Sequence, residues 1–166
     1  RQNLRRRGGQ GSAGYTLAGF VEAAREARRS TRRVFVVVYL FSGRKRAGDF
    51  ESHFRRRAAA AGLEVLLLCI DITNDAWWDL GHPEVFELLF RLGAEGYIDI
   101  TGGGPPCSTV STARFNFLSP GARPVRGRGA GFWGLRGLSA VERLRVADAN
   151  VLWIHTLSLC DVVSLL

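Results

Sequence analysis

The sequence predicts an α/β domain with a doubly wound, mostly parallel sheet flanked by helices. Three observations carry that expectation. Residues 34–41 and, apart from Glu64 and Asp71, the second run at 64–72 are dominated by β-branched, aliphatic and aromatic residues without the polar alternation of a half-solvated strand. The segments between such runs show helical spacing. The order strand, helix, strand, helix, strand demands right-handed crossover connections rather than hairpins.

Taken in order, residues 16–29 place Leu17, Phe20, Val21, Ala24 and Ala27 on one stripe, with Arg25, Arg28 and Arg29 outside it, which predicts an amphipathic helix. The first buried strand is 34–41. A polar, glycine-containing turn at 42–48 leads into 49–61, whose alanines favour helix, and Gly62 supplies a stop. The second strand is 64–72 and contains Asp71. Pro83 opens a helix on which Val85, Phe86, Leu88, Leu89 and Leu92 recur at helical spacing. A short third strand is expected at 97–101. Ser139, with Glu142 three residues on, reads as a capping box that opens a helix over 139–159. Residues 119–137, rich in Gly, Arg and Pro, read as a mobile loop, and the Gly/Arg-rich residues 1–14 as a flexible arm.

A chain of 166 residues with 46% hydrophobic and 23% charged residues suits one globular domain and argues against general disorder. Arg1 as first residue, the absence of Met and an apolar end at 161–166 predict a fragment, so the sheet is expected to be incomplete. The net charge of +8 is uneven. Residues 1–33 hold nine arginines against Glu22 and Glu26, while the remainder is nearly neutral, so any contact of the arm with nucleic acid would be nonspecific. Cys69, Cys107 and Cys160 are odd in number and widely spaced, which predicts a reducing, intracellular compartment, the nucleus included. The most apolar stretch, 151–166, is interrupted by His155 and Asp161, so no membrane association is expected.

In a parallel sheet ligands bind beyond the carboxyl ends of the strands, where three polar clusters fall at 42–48, 71–79 and 102–111. In the third, a glycine run and two prolines fix an unusual backbone directly before a thiol. Here the chain resembles a family. Phe41-Ser42-Gly43 after the first strand, Asp71 after the second, Asp79-Leu80 and Gly103-Gly104-Pro105-Pro106-Cys107 are similar, in order, to the motifs of the C5-cytosine DNA methyltransferases, across roughly residues 34–118. The resemblance implies a partial methyltransferase-like, Rossmann-type domain over 15–166, with S-adenosylmethionine as cofactor and DNA as partner. It implies that Phe41, Ser42 and Gly43 line the methionine and adenosine site, with Gly104 and Pro105 also at the cofactor. Asp71 would hold the ribose and Asp79 the adenine amino group. Cys107 would be the nucleophile that adds to a flipped cytosine, with Pro106, Ser108 and Arg114 at the substrate. No metal is implied.

Two departures accompany the resemblance. Arg44, Lys45 and Arg46 stand where the family's first loop continues with glycines, and the family's Glu-Asn-Val-type segment, expected after 139–159, is not among these residues. The fragment alone is therefore not expected to methylate DNA. The alternative is a degenerate, noncatalytic methyltransferase-like module of a mobile-element polyprotein that binds nucleic acid nonspecifically. A zinc deaminase is disfavoured: His82-Pro83-Glu84 and Pro106-Cys107 mimic its signature, but Val110 occupies the second cysteine's place.

Overall fold

The structure, a computed structural model, describes residues 15–110 and 123–165. The expected arm at 1–14 and residues 119–122 of the expected loop lie outside the described residues. Helix α1 (Leu17–Arg29) starts from Thr16, whose hydroxyl accepts the Gly19 N–H at 3.1 Å. Strand β1 (Val34–Leu40) follows. Helix α2 (Phe50–Ala60) is capped by Asp49, which accepts the Ser52 N–H at 2.9 Å, and it gives way to Gly62 at φ +68°. Strand β2 (Glu64–Ile70) leads through a 3-10 turn at Ala76–Trp78 to helix α3 (Pro83–Ala94), with His82 as N-cap and Pro83 in the first turn. Strand β3 is Ile100–Gly103 and helix α4 is Ala140–Ser164.

The result is a mixed α/β fold in which a three-stranded parallel sheet, order β2-β1-β3, is flanked by helices. Register runs from Val34 opposite Glu64 to Leu40 opposite Ile70, and from Val37 opposite Ile100 to Leu40 opposite Gly103. The period of two along each strand divides the core between the sheet's faces. Val36, Val38 and Leu40, with Leu68 and Ile70, pack on one face with Phe20 of α1, Leu89 of α3 and Leu159 of α4. Val37, Leu67 and Cys69 occupy the other face, where Phe54 of α2 covers them. Both faces of β1 are thus buried, as its unbroken apolar run requires. Burial pushes the Cys69 thiol up to about 12, the Glu51 carboxylate adding to the shift, so this cysteine behaves as a small apolar residue.

The third strand lies further along than 97–101. Asp99 ends the approach instead of pairing within the strand. Its carboxylate accepts the Val36 N–H at 2.7 Å and faces Arg28 at 3.0 Å, while its own N–H donates to the Val36 carbonyl at 2.9 Å. Pairing then continues into Gly102 and Gly103, residues whose low strand propensity hides them from a sequence reading.

The capping box of α4 is present: Ser139 Oγ accepts the Glu142 N–H at 3.3 Å, and Glu142 Oε2 accepts the Ser139 N–H at 2.8 Å. Arg123 adds a two-bond grip on the same carboxylate at 2.7 and 2.6 Å, and together these donors hold Glu142 well below the carboxylate range. The helix runs beyond residue 159. By length and composition it could cross a bilayer, with a mean hydropathy of 1.3 over its most apolar window. Here Leu159, Leu152 and Val163 pack into the core beside the sheet. His155 is a packing residue: its ring stacks on Phe86 at 3.9 Å and its Nδ1–H donates to the Leu80 carbonyl at 2.8 Å.

Candidate functional site

Because the three strands are parallel, their carboxyl ends share one edge of the sheet, and the chain segments that leave them meet there. They enclose a cavity of about 380 Å³. Phe41 contributes from the end of β1, Asp71, Ile72 and Thr73 from the end of β2, and Gly104, Pro105 and Pro106 from the end of β3. Trp78, Asp79 and Leu80 complete the wall before α3, with Leu152 of α4 opposite. The lining is apolar apart from two carboxylates and Thr73.

Phe41 adopts φ +56°, the one left-handed non-glycine residue among those described. An L-residue in that region costs on the order of 1 kcal/mol and persists where the surroundings enforce it. The enforcing contacts are visible: the Ser42 N–H donates to the Ile70 carbonyl at 3.1 Å and the Gly43 N–H to Asp71 Oδ2 at 2.9 Å, so the chain turns across the end of β2 as soon as β1 ends. Gly43, at φ +71°, accommodates the turn.

Asp71 is the joint between the first two loops. Besides Gly43, it accepts the Thr73 N–H at 2.8 Å and the Thr73 hydroxyl at 2.6 Å, both on Oδ1. Burial opposes its charge, but the donors from Thr73 and Gly43 outweigh that and keep the carboxyl below its ordinary 3.8. Three of roughly four lone-pair positions are thereby filled, which leaves room for about one further donor on Oδ2. Asp79 is less committed: its Oδ1 accepts the Gly81 N–H at 2.8 Å. Asn74 fastens the loops again, donating to the Gly43 carbonyl at 2.5 Å and accepting the Lys45 N–H at 3.2 Å.

Six of the residues expected at a site therefore share one cavity: Phe41, Asp71, Asp79, Gly104, Pro105 and Pro106. Ser42 and Gly43 stand behind the lining and hold it. Arg44, Lys45 and Arg46 are exposed and do not line the cavity; Lys45 reaches Glu51 of α2 at 3.4 Å. Cys107 opens a 3-10 turn, Cys107–Thr109, directly after Pro106, and Ser108 is exposed in the same turn. The side chain of Cys107 and all of Arg114 lie outside what the structure describes. Among the described residues no group of His, Cys, Asp and Glu is disposed to hold a metal ion.

Sequence reasoning missed Asn74 and Arg126. Asn74 lies inside the polar cluster at 71–79 and could have been found there. Arg126 carried no signal beyond an arginine-rich composition, yet it is 6% exposed. The chain matches no protein-family model, no curated protein and no solved structure.

Proposed function

We propose that this cavity binds S-adenosylmethionine and that the chain is the cofactor half of a DNA (cytosine-5-)-methyltransferase-like domain of doubly wound, Rossmann-type architecture. One observation carries the reading: residues from three separate loops, chosen by their likeness to that family's motifs, line a single cavity at the carboxyl edge of a parallel sheet. The position of α2 on one face of the sheet, with α1, α3 and α4 on the other, supports the doubly wound architecture.

The lining suits the cofactor. Phe41, Trp78, Ile72 and Pro105 offer apolar walls to a purine and a thioether chain, and the two carboxylates offer acceptors to hydroxyl and amino groups. Asp71 has capacity for one ribose hydroxyl, and Asp79 has more. When bound, the cofactor supplies an electrophilic methyl group on a sulfonium centre. The chain's own part in the reaction is nucleophilic: the Cys107 thiolate adds to C6 of a flipped cytosine and turns C5 into a carbon nucleophile. Cys107 would leave again as a thiolate by β-elimination once C5 carries the methyl group and has given its proton to water. The noncatalytic alternative rests on Arg44, Lys45 and Arg46 in the first loop.

In its full natural length and with S-adenosylmethionine, the protein is expected to form a covalent adduct with duplexes containing 5-fluorocytosine, because fluorine cannot leave as the proton does. Cys107→Ser should abolish the adduct, seen as a shifted band on a denaturing gel. Trapping by Cys107→Ser would remove Cys107 from its role, and no trapping by the unaltered protein would favour the noncatalytic module.

A further inference from the structure

Arg126 is a charge placed where a charge is costly. It is 6% exposed, and none of the ion pairs among the described residues includes it. Its hydrogen bonds explain how it is tolerated. Nε donates to Thr109 Oγ1 at 2.9 Å, and one terminal nitrogen donates to the Phe132 carbonyl at 2.6 Å and to Asn150 Oδ1 at 2.7 Å. The other terminal nitrogen is 3.4 Å from the Val146 carbonyl. All these acceptors are neutral.

The partners belong to three separate pieces of the chain. Thr109, 4% exposed, ends the 3-10 turn that Cys107 opens. Phe132 lies in a second 3-10 turn, Gly129–Trp133, while Val146 and Asn150 are one turn apart on α4. Asn150 secures the arrangement by donating to the Trp133 carbonyl at 3.1 Å, and Val125 packs beside Arg126 in a small cluster with Leu138 and Val146. A connecting turn at the surface could leave its threonine to water. Here a buried guanidinium holds that threonine to the longest helix of the fold.

We propose that Arg126 is a positioning residue for Cys107: through Thr109 it locks the backbone of the Cys107–Thr109 turn, which carries the nucleophile, onto α4. The proposal rests on the methyltransferase reading for the role of the thiol, and on the hydrogen bonds alone for the clamp. Guanidinium is the required group, since one planar fork reaches acceptors on three pieces of chain and a lysine ammonium cannot.

The test centres on Thr109, because Arg126 variants are liable to lose the local fold altogether. Thr109→Val keeps the shape and removes the acceptor, and Thr109→Ser restores it. In the full-length protein, Thr109→Val should speed amide exchange in the 107–110 turn by about tenfold or more, with β1 and β2 unchanged. It should also slow trapping of 5-fluorocytosine duplexes by about 100-fold, as expected for a misplaced nucleophile, while S-adenosylmethionine affinity stays within about twofold. Thr109→Ser should recover both. Exchange and trapping unchanged in Thr109→Val would overturn the proposal, as would a parallel loss of cofactor affinity, which marks a general structural role. If the unaltered protein traps nothing, the methyltransferase reading fails on its own; accelerated exchange confined to the turn, reversed by Thr109→Ser, would still uphold the clamp.

Discussion

Gly103→Ala should unfold the carboxyl end of the sheet, whereas Gly102→Ala and Gly104→Ala should be nearly silent. The three glycines look equivalent in sequence and differ in what surrounds them. A Cβ at Gly103 would lie 2.2 Å from the Leu40 carbonyl oxygen and 2.8 Å from the Leu40 Cβ, and this part of the neighbouring strand's backbone cannot swing aside. At Gly102 and Gly104 a Cβ would meet nothing within 4 Å. The cost at Gly103 belongs at or above the ~3 kcal/mol upper end of ordinary overpacking, a large part of a domain's ~5–15 kcal/mol total stability. The wall formed by Gly104, Pro105 and Pro106 would move with the strand, so ligand binding should fall with stability. Urea unfolding of the three variants decides the point; equal midpoints for Gly102→Ala and Gly103→Ala would contradict the close approach of β3 to β1.

Asp71→Asn should be the most damaging isosteric change at the cavity. The amide can keep one oxygen for Thr73 but then presents an NH₂ group to the Gly43 N–H, which loses its acceptor. Hydrogen bonds to a charged group contribute about 1.5–3 kcal/mol each, so a loss of about 2–3 kcal/mol is expected near neutral pH. The pH dependence follows from the direction of the shift. The folded carboxyl titrates below the ordinary 3.8, so its contribution is complete above that value and disappears as pH falls through the lower folded value. The stability gap between wild type and Asp71→Asn should therefore be full above 3.8 and close in stronger acid. A gap independent of pH would mean that Asp71 acts by shape rather than charge.

Much of this architecture could be read from the sequence, for physical reasons that differ by element. Residues 34–41 and 64–72 announced β1 and β2 because the part of a strand that is buried on both faces needs consecutive apolar side chains, as at 34–41 and 65–70. Ser139 and Glu142 announced the start of α4 because a capping box is a local interaction. The third strand was displaced because Gly102 and Gly103 enter the sheet through tertiary contact, against their own propensity. Phe41's left-handed backbone was invisible for the same reason: Ile70 and Asp71, nearly thirty residues away, impose it. At the site, six of the residues that line the cavity were legible in motif order, while Ile72, Trp78 and Leu152, which also line it, and Asn74 and Arg126, which hold loops from behind, were not. Most of the partners of Asn74 and Arg126 are far away in the chain, and neither residue type reveals its burial.

What occupies the cavity is tested most directly by calorimetric titration of the chain with S-adenosylmethionine. Saturable binding at one site is expected, weakened about tenfold by Asp79→Asn through loss of a charged acceptor, in a variant whose unfolding midpoint matches the wild type. No binding by a chain shown to be folded, or binding that Asp79→Asn leaves unchanged, would contradict the assignment of the cavity to this cofactor.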